Sequence, residues 1–217
     1  SAWTSDVTHQ RAPQPPNPRA NQPLITHDTP DKANAFFYSG LQMELADTDS
    51  AYAPLVLGNR ILGSSGLSSR LGDRVRQQEG LSYTVRSSFR NRAKDSRLDF
   101  SVYAIANPDN KDKLIEVIGE EIERLCADGV TEAELEKAKS SYLESQKVSR
   151  SSDGALAAEL TLSMFLGRTL QFAADQDERI RAASVESVND AVQKHLSWQG
   201  LVKAIAGDFE SESDDGK

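Results

Sequence analysis

The stretch LSYTVRSSFRNRAKDSRLDFSVYAIA, residues 81–106, sets the fold class. Its two arms, 81–90 and 96–106, alternate apolar and polar residues, and the polar NRAKD between them makes a five-residue connection. Alternation puts every second side chain on one face, so the arms predict a β-hairpin with one buried side. Just upstream the period changes. In GSSGLSSRLGDRVRQQ (63–78), small capping residues lead into Leu67, Leu71 and Val75, which recur every four residues. That spacing predicts a helix with a narrow apolar stripe, stopping at Gly80.

Further out, SAYAPLVLGNRIL (50–62) carries Leu55, Val56, Ile61 and Leu62 at helical spacing, and NAFFYSGLQMEL (34–45) alternates as a strand with Phe37, Leu41, Met43 and Leu45 on one face. Pro54 falls in a first helical turn, where its missing N–H does little harm. Downstream, Leu114, Ile118, Ile122 and Leu125 share one helical face of 108–128, and Gly129 suits a left-handed cap. TEAE (131–134) is a capping box opening a helix lined by Leu135, Ala138 and Tyr142. Residues 153–166 (Leu156, Leu160, Met164) and 184–197 (Val185, Val188, Val192) predict two more helices, and GLVKAIAGDF (200–209) a closing strand. Together these predict an α+β fold: a two-layer sandwich whose mostly antiparallel four-stranded sheet is covered by helices.

Residues 1–24 hold five of the eight prolines within RAPQPPNPRANQPL and read as an extended linker to something upstream; residues 25–209 form the domain, and ESESDDGK (210–217) is an acidic tail. The start without Met reads as part of a longer chain. Among 217 residues, 38% are hydrophobic, enough for a core. Twenty-five basic against 33 acidic residues give a charge of −8, with no basic stripe, which argues against nucleic acid. No apolar run approaches the ~18–20 residues of a membrane span. The single cysteine, Cys126, excludes an internal disulfide and a cysteine-cluster metal site.

Chemistry-bearing patterns are few. His9, His27 and His195 occur in THQR, THDT and KHLS, none with the spacing that sets two imidazoles on one helix face, so no metal site is expected from this chain alone. His195 reads as a boundary histidine and Cys126 as a structural thiol. No G-x-S-x-G elbow is present. LGSSGLSSRLG precedes a helix but lacks the Lys-Ser/Thr of a phosphate loop. What remains is a pair, Arg76 and Tyr83, on either side of Gly80. Helical spacing turns Arg76 about 100° from Val75, off the apolar stripe. Tyr83 shares its strand face with Leu81 and Val85. On spacing alone, one reading is a solvated charge and a core-edge aromatic. The other is that the glycine break brings both polar tips to one cleft, as donors for a carbonyl oxygen or a developing oxyanion.

LGSSGLSSRLGDRVRQQEGLSYTVRSSF, with its R-x3-GL-x-Y frame, resembles the second half of pitrilysin-type zinc metallopeptidases, the inverzincins. The resemblance extends over most of the chain, through LVLGNRIL and GVTEAELEKAKSSYLES to the closing AIAGDF. It implies a ferredoxin-like half-domain that lacks the H-x-x-E-H zinc motif and faces a homologous zinc-bearing half, on the same parent chain or a separate subunit. Zinc would sit in that partner domain and none in this chain. Arg76 and Tyr83 would contact a peptide carbonyl near the metal, and Gly63, Ser64, Ser65 and Gly66 would meet substrate or the partner, unless that segment simply caps the helix. The isolated domain is expected to be inactive and to self-associate through the face that otherwise meets its other half; a periplasmic or envelope location fits family habit. The same fold also implies an alternative, a non-catalytic scaffold like the core subunits of respiratory complexes.

Overall fold

The computed structural model describes residues 7–8, 10–18 and 21–209. Its sheet is built from β1 (Ile25–Asp28), β2 (Ala35–Glu44), β3 (Ser82–Arg92), β4 (Arg97–Ala106) and β5 (Val202–Gly207), in the order β1-β5-β2-β4-β3. β1 runs parallel to β5, and every other pairing is antiparallel. The sheet therefore has five strands where four are predicted. The extra one, ITHD, has no alternation: three of its four residues are exposed, and it joins through backbone pairing with β5 and a hydrogen bond from Phe209 N–H to Asp28 Oδ1 at 2.9 Å. The hairpin connection is tighter than predicted, with a turn at Ala93–Asp95 and Ser96 at φ 48° between the strands.

Every second residue of β4, from Leu98 through Phe100, Val102 and Ala104 to Ala106, is buried on one side. Against that side pack Leu55 and Leu57 of α1 (Tyr52–Asn59), Leu62 just beyond it, and Leu114, Ile118 and Ile122 of α2 (Lys111–Asp128). α3 (Glu132–Arg150) begins at the expected capping box: Thr131 Oγ1 accepts from Glu134 N–H at 3.3 Å and Glu134 Oε2 accepts from Thr131 N–H at 2.8 Å.

Two helices depart from the sequence reading. α4 (Asp153–Leu166) exists as predicted but buries none of its side chains: Leu160 and Met164 are exposed. α5 (Leu170–Ala182) has no counterpart in the sequence reading, because only Ile180 among its apolar residues is buried and the pattern carries no stripe. α6 (Val185–His195) follows, with Val188 and Val192 in the core as expected. Among the described residues no helix is long and apolar enough to cross a membrane.

The other face of the sheet is open. Phe36, Tyr38 and Ile105 are exposed there, and the Phe36 and Tyr103 rings stack 6.2 Å apart. Part of the proline-rich segment lies along one end: Arg97 donates to the Gln14 carbonyl at 3.3 Å, and Asn17 N–H donates to Gln42 Oε1 at 2.9 Å. Its described residues form no helix or strand and are docked on the domain by these contacts. The acidic tail 210–217 and His9 lie outside the described residues.

Candidate functional site

The segment 63–78 is predicted as one helix opened by small capping residues, but it is broken: the π-helical tail of α1 at Arg60–Ser64 runs into it, a tight turn follows at Gly66–Ser68, and a π-helix spans Gly72–Gln78. Leu67, predicted on the stripe, falls in the turn and is exposed, whereas Leu71 and Val75 are fully buried. Close backbone approach causes the break. A Cβ on Gly72 would collide with the Gly66 carbonyl, so only glycine lets the turn fold onto the π-helix. Ser69 ties the two, its Oγ accepting from Gly72 N–H at 3.1 Å and donating to the Gly66 carbonyl. Gly72→Ala is expected to displace the turn and cost on the order of 1–3 kcal/mol, visible in urea denaturation.

The π-helix ends as the sequence suggests. Gly80 adopts φ +63°, and Leu81 N–H reaches back to the Val75 carbonyl at 2.9 Å. β3 then starts with a β-bulge. Ser82 pairs with Ala106 and Thr84 with Ile105, so Tyr83 has no cross-strand partner. Tyr83 is therefore turned away from the core: it is 87% exposed while Val85 is 6% exposed. This corrects both the shared strand face and the core-edge reading of Tyr83. An extra residue in one strand breaks the alternation and re-aims a side chain, which is why bulges recur next to active sites. Ser82 holds it. Its buried Oγ donates to the Ile105 carbonyl at 2.6 Å and accepts from Thr84 N–H at 3.1 Å. Sequence reasoning missed Ser82, because nothing in its identity signals a bulge.

Arg76 and Tyr83 line one concavity of about 160 Å³, together with Gly66, Leu67 and Gly72. On its other flank the Tyr83 ring borders a wider hollow of about 400 Å³ running past Gly80 and Ile105 to Asn107. The two arginines of RVR differ. Arg74 is paired with Glu79 at 2.9 Å and Glu120 at 3.4 Å; Arg76 is exposed and has neither an ion pair nor a side-chain hydrogen bond among the described residues. Free donors facing a shared opening are what a developing negative charge needs.

The segment 63–66 is not brought together in one environment. Gly63 is buried on β3, where a Cβ would lie 2.7 Å from Ser87 N. Ser64 is half-buried. Ser65 donates to the Arg60 carbonyl at 2.8 Å and borders a separate hollow of about 100 Å³ against α3. Gly66 alone of the four lines the Arg76/Tyr83 concavity. Both arginines lining the α3 hollow are satisfied. Arg60 donates to Ser141 Oγ and its carbonyl at 2.8 Å, and Arg70 clamps Glu134 at 2.7 and 2.9 Å and the Gly129 carbonyl at 2.8 Å.

That clamp fixes the turn to α3. The Arg70 guanidinium, helped by Thr131, holds the Glu134 carboxyl at about 2, well under its ordinary 4.5. A carboxyl depressed on folding contributes stability that is complete above its unfolded value and lost as pH falls through its folded one. Between about pH 4.5 and 2 the wild type is therefore expected to lose more stability than Glu134→Gln, in thermal melts across that range.

The other nominated groups lie apart. His195 is half-buried at the end of α6, and burial pushes its imidazole down. Burial also pushes the Cys126 thiol up, and its Sγ lies 3.5 Å from the Leu196 carbonyl, which fits a structural thiol. Among the described residues no group of three or more His, Cys, Asp and Glu could hold a metal ion.

The "Peptidase M16 inactive domain" model matches residues 1–142. A protein of Helicobacter pylori, "Non-peptidase homolog YmxG", is 27% identical over 177 residues, 81% of this chain and 40% of that protein. The "Uncharacterized zinc protease Mb2805c" of Mycobacterium bovis is 29% identical over 200 residues, 90% of this chain and 44% of that one. The crystal structure of the peptidase M16 inactive domain from Pseudomonas fluorescens superposes with a TM-score of 0.75 at 24% identity, over 85% of this chain and 43% of that one. The chain thus spans less than half the length of these relatives. With the family model matched over more than half its length, the chain belongs to the peptidase M16 inactive-domain family.

Proposed function

We propose that this chain is the substrate-binding half of a zinc metalloendopeptidase, binding no zinc itself and supplying Arg76 and Tyr83 to a cleft that a zinc-bearing half completes. The observation that carries the reading is the shared concavity: a bulge turns the Tyr83 ring outward beside Arg76, which has no ion pair among the described residues. Both tips donate to one peptide carbonyl. Arg76 brings a permanent charge and Tyr83 a neutral O–H. As the carbonyl oxygen gains negative charge, both hydrogen bonds strengthen, which favours the transition state over bound peptide. The π-helix and the Ser82-held bulge fix where the donors point, and Gly66 offers backbone at the cleft. Bound zinc would supply the activated water. Covering the cleft with the zinc-bearing half would exclude water and strengthen both donors.

The test is reconstitution. The parent protein, or this chain with its zinc-bearing half, is expected to cleave a quenched fluorescent peptide in a zinc-dependent way. The isolated chain is expected neither to cleave it nor to take up stoichiometric zinc. Cleavage by the isolated chain would overturn the reading, as would an inactive zinc-loaded assembly.

The second reading is a non-catalytic scaffold, favoured by the similarity to a relative called a non-peptidase homolog. It requires that neither the parent chain nor a partner subunit carry H-x-x-E-H.

A further inference from the structure

Beyond the bulge, Arg86, Ser88 and Arg90 point to the open face while Val85 and Ser87 are buried. Arg86 pairs in register with Tyr103 and lines the same concavity as Arg76 and Tyr83. No carboxylate lines that concavity. Neither Arg86 nor Arg90 makes an ion pair or side-chain hydrogen bond among the described residues. Beside Arg90, the one carboxylate in register, Asp99, is already taken by Arg92 at 3.3 Å and Arg97 at 2.8 Å. A chain of net charge −8 thus presents, on one strand face and at the cleft beside it, guanidinium groups with no ion pair among the described residues. Two cations sharing a hollow without a counter-charge repel each other, and an anion between them relieves that repulsion. A guanidinium matches a carboxylate in shape as well as charge, through two parallel N–H···O bonds.

We propose that Arg86, together with Arg76 across the cleft, reads a carboxylate on the substrate. The assembled peptidase then prefers peptides with Asp or Glu beside the bond held at Tyr83. This rests on the proposed placement of the scissile carbonyl at Arg76 and Tyr83. It adds a specificity-determining residue, Arg86, and a substrate class, acidic peptides. Arg90, four residues along the strand and so roughly 13 Å away, extends the same cationic face to a second acidic position.

The experiment uses the parent protein with its zinc-bearing half and peptides differing at one site, Glu against Gln, all with amidated C-termini. A second pair, neutral throughout, compares a free C-terminal acid with the amide. Wild type is expected to favour Glu over Gln about tenfold in kcat/KM, the scale of a charged hydrogen bond discounted for exposure. The ratio should fall toward one in Arg86→Gln, be partly kept in Arg86→Lys, and shrink in ~0.5 M salt, which roughly halves the physiological Debye length. An Arg86-dependent preference for the free acid supports the same carboxylate site with the chain terminus as its source. A Glu/Gln ratio near one with no preference for the free acid, or ratios that Arg86→Gln leaves unmoved, overturns the proposal while the peptidase reading stands. If no peptide is cut, the peptidase reading fails, and fluorescence anisotropy of the labelled peptides decides. Tighter binding of the Glu peptide that is lost in Arg86→Gln upholds the carboxylate site; equal binding overturns it.

Discussion

Tyr83→Phe and Arg76→Ala, each made in the assembled peptidase, are expected to lower kcat for a neutral peptide about 100- to 1000-fold, the usual consequence of losing one transition-state donor. Tyr83→Phe removes a single oxygen from a ring that is 87% exposed and has no cross-strand partner, so the fold has nothing to lose. Arg76 is equally unencumbered, and alanine is a good helix former in its place. Melting temperatures should therefore match wild type, which separates lost chemistry from lost structure. The kinetic pattern is also specific. Donors that strengthen only as charge develops lower kcat and kcat/KM together, whereas donors that merely hold bound peptide raise KM. An unchanged kcat in both variants would refute the catalytic role.

The second large effect lies at the opposite end of the sheet. Asp47, 3% exposed, accepts two hydrogen bonds from Arg168 at 2.7 Å, and its backbone carbonyl accepts one from Gln176 at 2.6 Å. Arg168 also stacks on Phe172, 3.9 Å from the ring centre. This knot is what joins the α4–α5 connection to the loop after β2, because α4 contributes no buried side chain. Asp47→Ala leaves a largely enclosed guanidinium without its counter-charge, and removing one partner of such a pair costs ~3 kcal/mol or more. For a domain of this size that corresponds to roughly 6–12 °C in Tm. Asp47→Asn keeps an acceptor and should lose less. A melting temperature within a degree or so of wild type for Asp47→Ala would show that α4 and α5 are held by something else.

Legibility in the sequence followed burial. The hairpin was readable because β4 faces a dense core with every second residue, so its alternation is complete. The stop at Gly80 was readable because a left-handed residue after a helix strongly selects glycine. Alternation failed at Tyr83, since the bulge depends on a hydrogen bond from Ser82 to a distant strand. The four-residue spacing of Leu67, Leu71 and Val75 was read as one helix; the turn that removes Leu67 is set by the Gly66–Gly72 approach, a contact no periodicity encodes. β1 and α5 went unseen because neither presents an apolar stripe, and α4 misled in the opposite sense, an apolar helix that the domain leaves uncovered. Arg76 stood out from its position relative to Val75 and Gly80, but that Arg74 rather than Arg76 is paired among the described residues depends in part on Glu120, which only the fold brings to Arg74.

The most direct measurement is kcat/KM for the double variant Arg76→Ala/Tyr83→Phe beside the two single variants, in the assembled protein on one neutral peptide. If both groups serve one carbonyl in one opening, the double variant should fall little below the worse single variant, because residues that act as a unit are strongly non-additive. Losses that simply multiply, or a single variant with wild-type activity, would contradict a shared site.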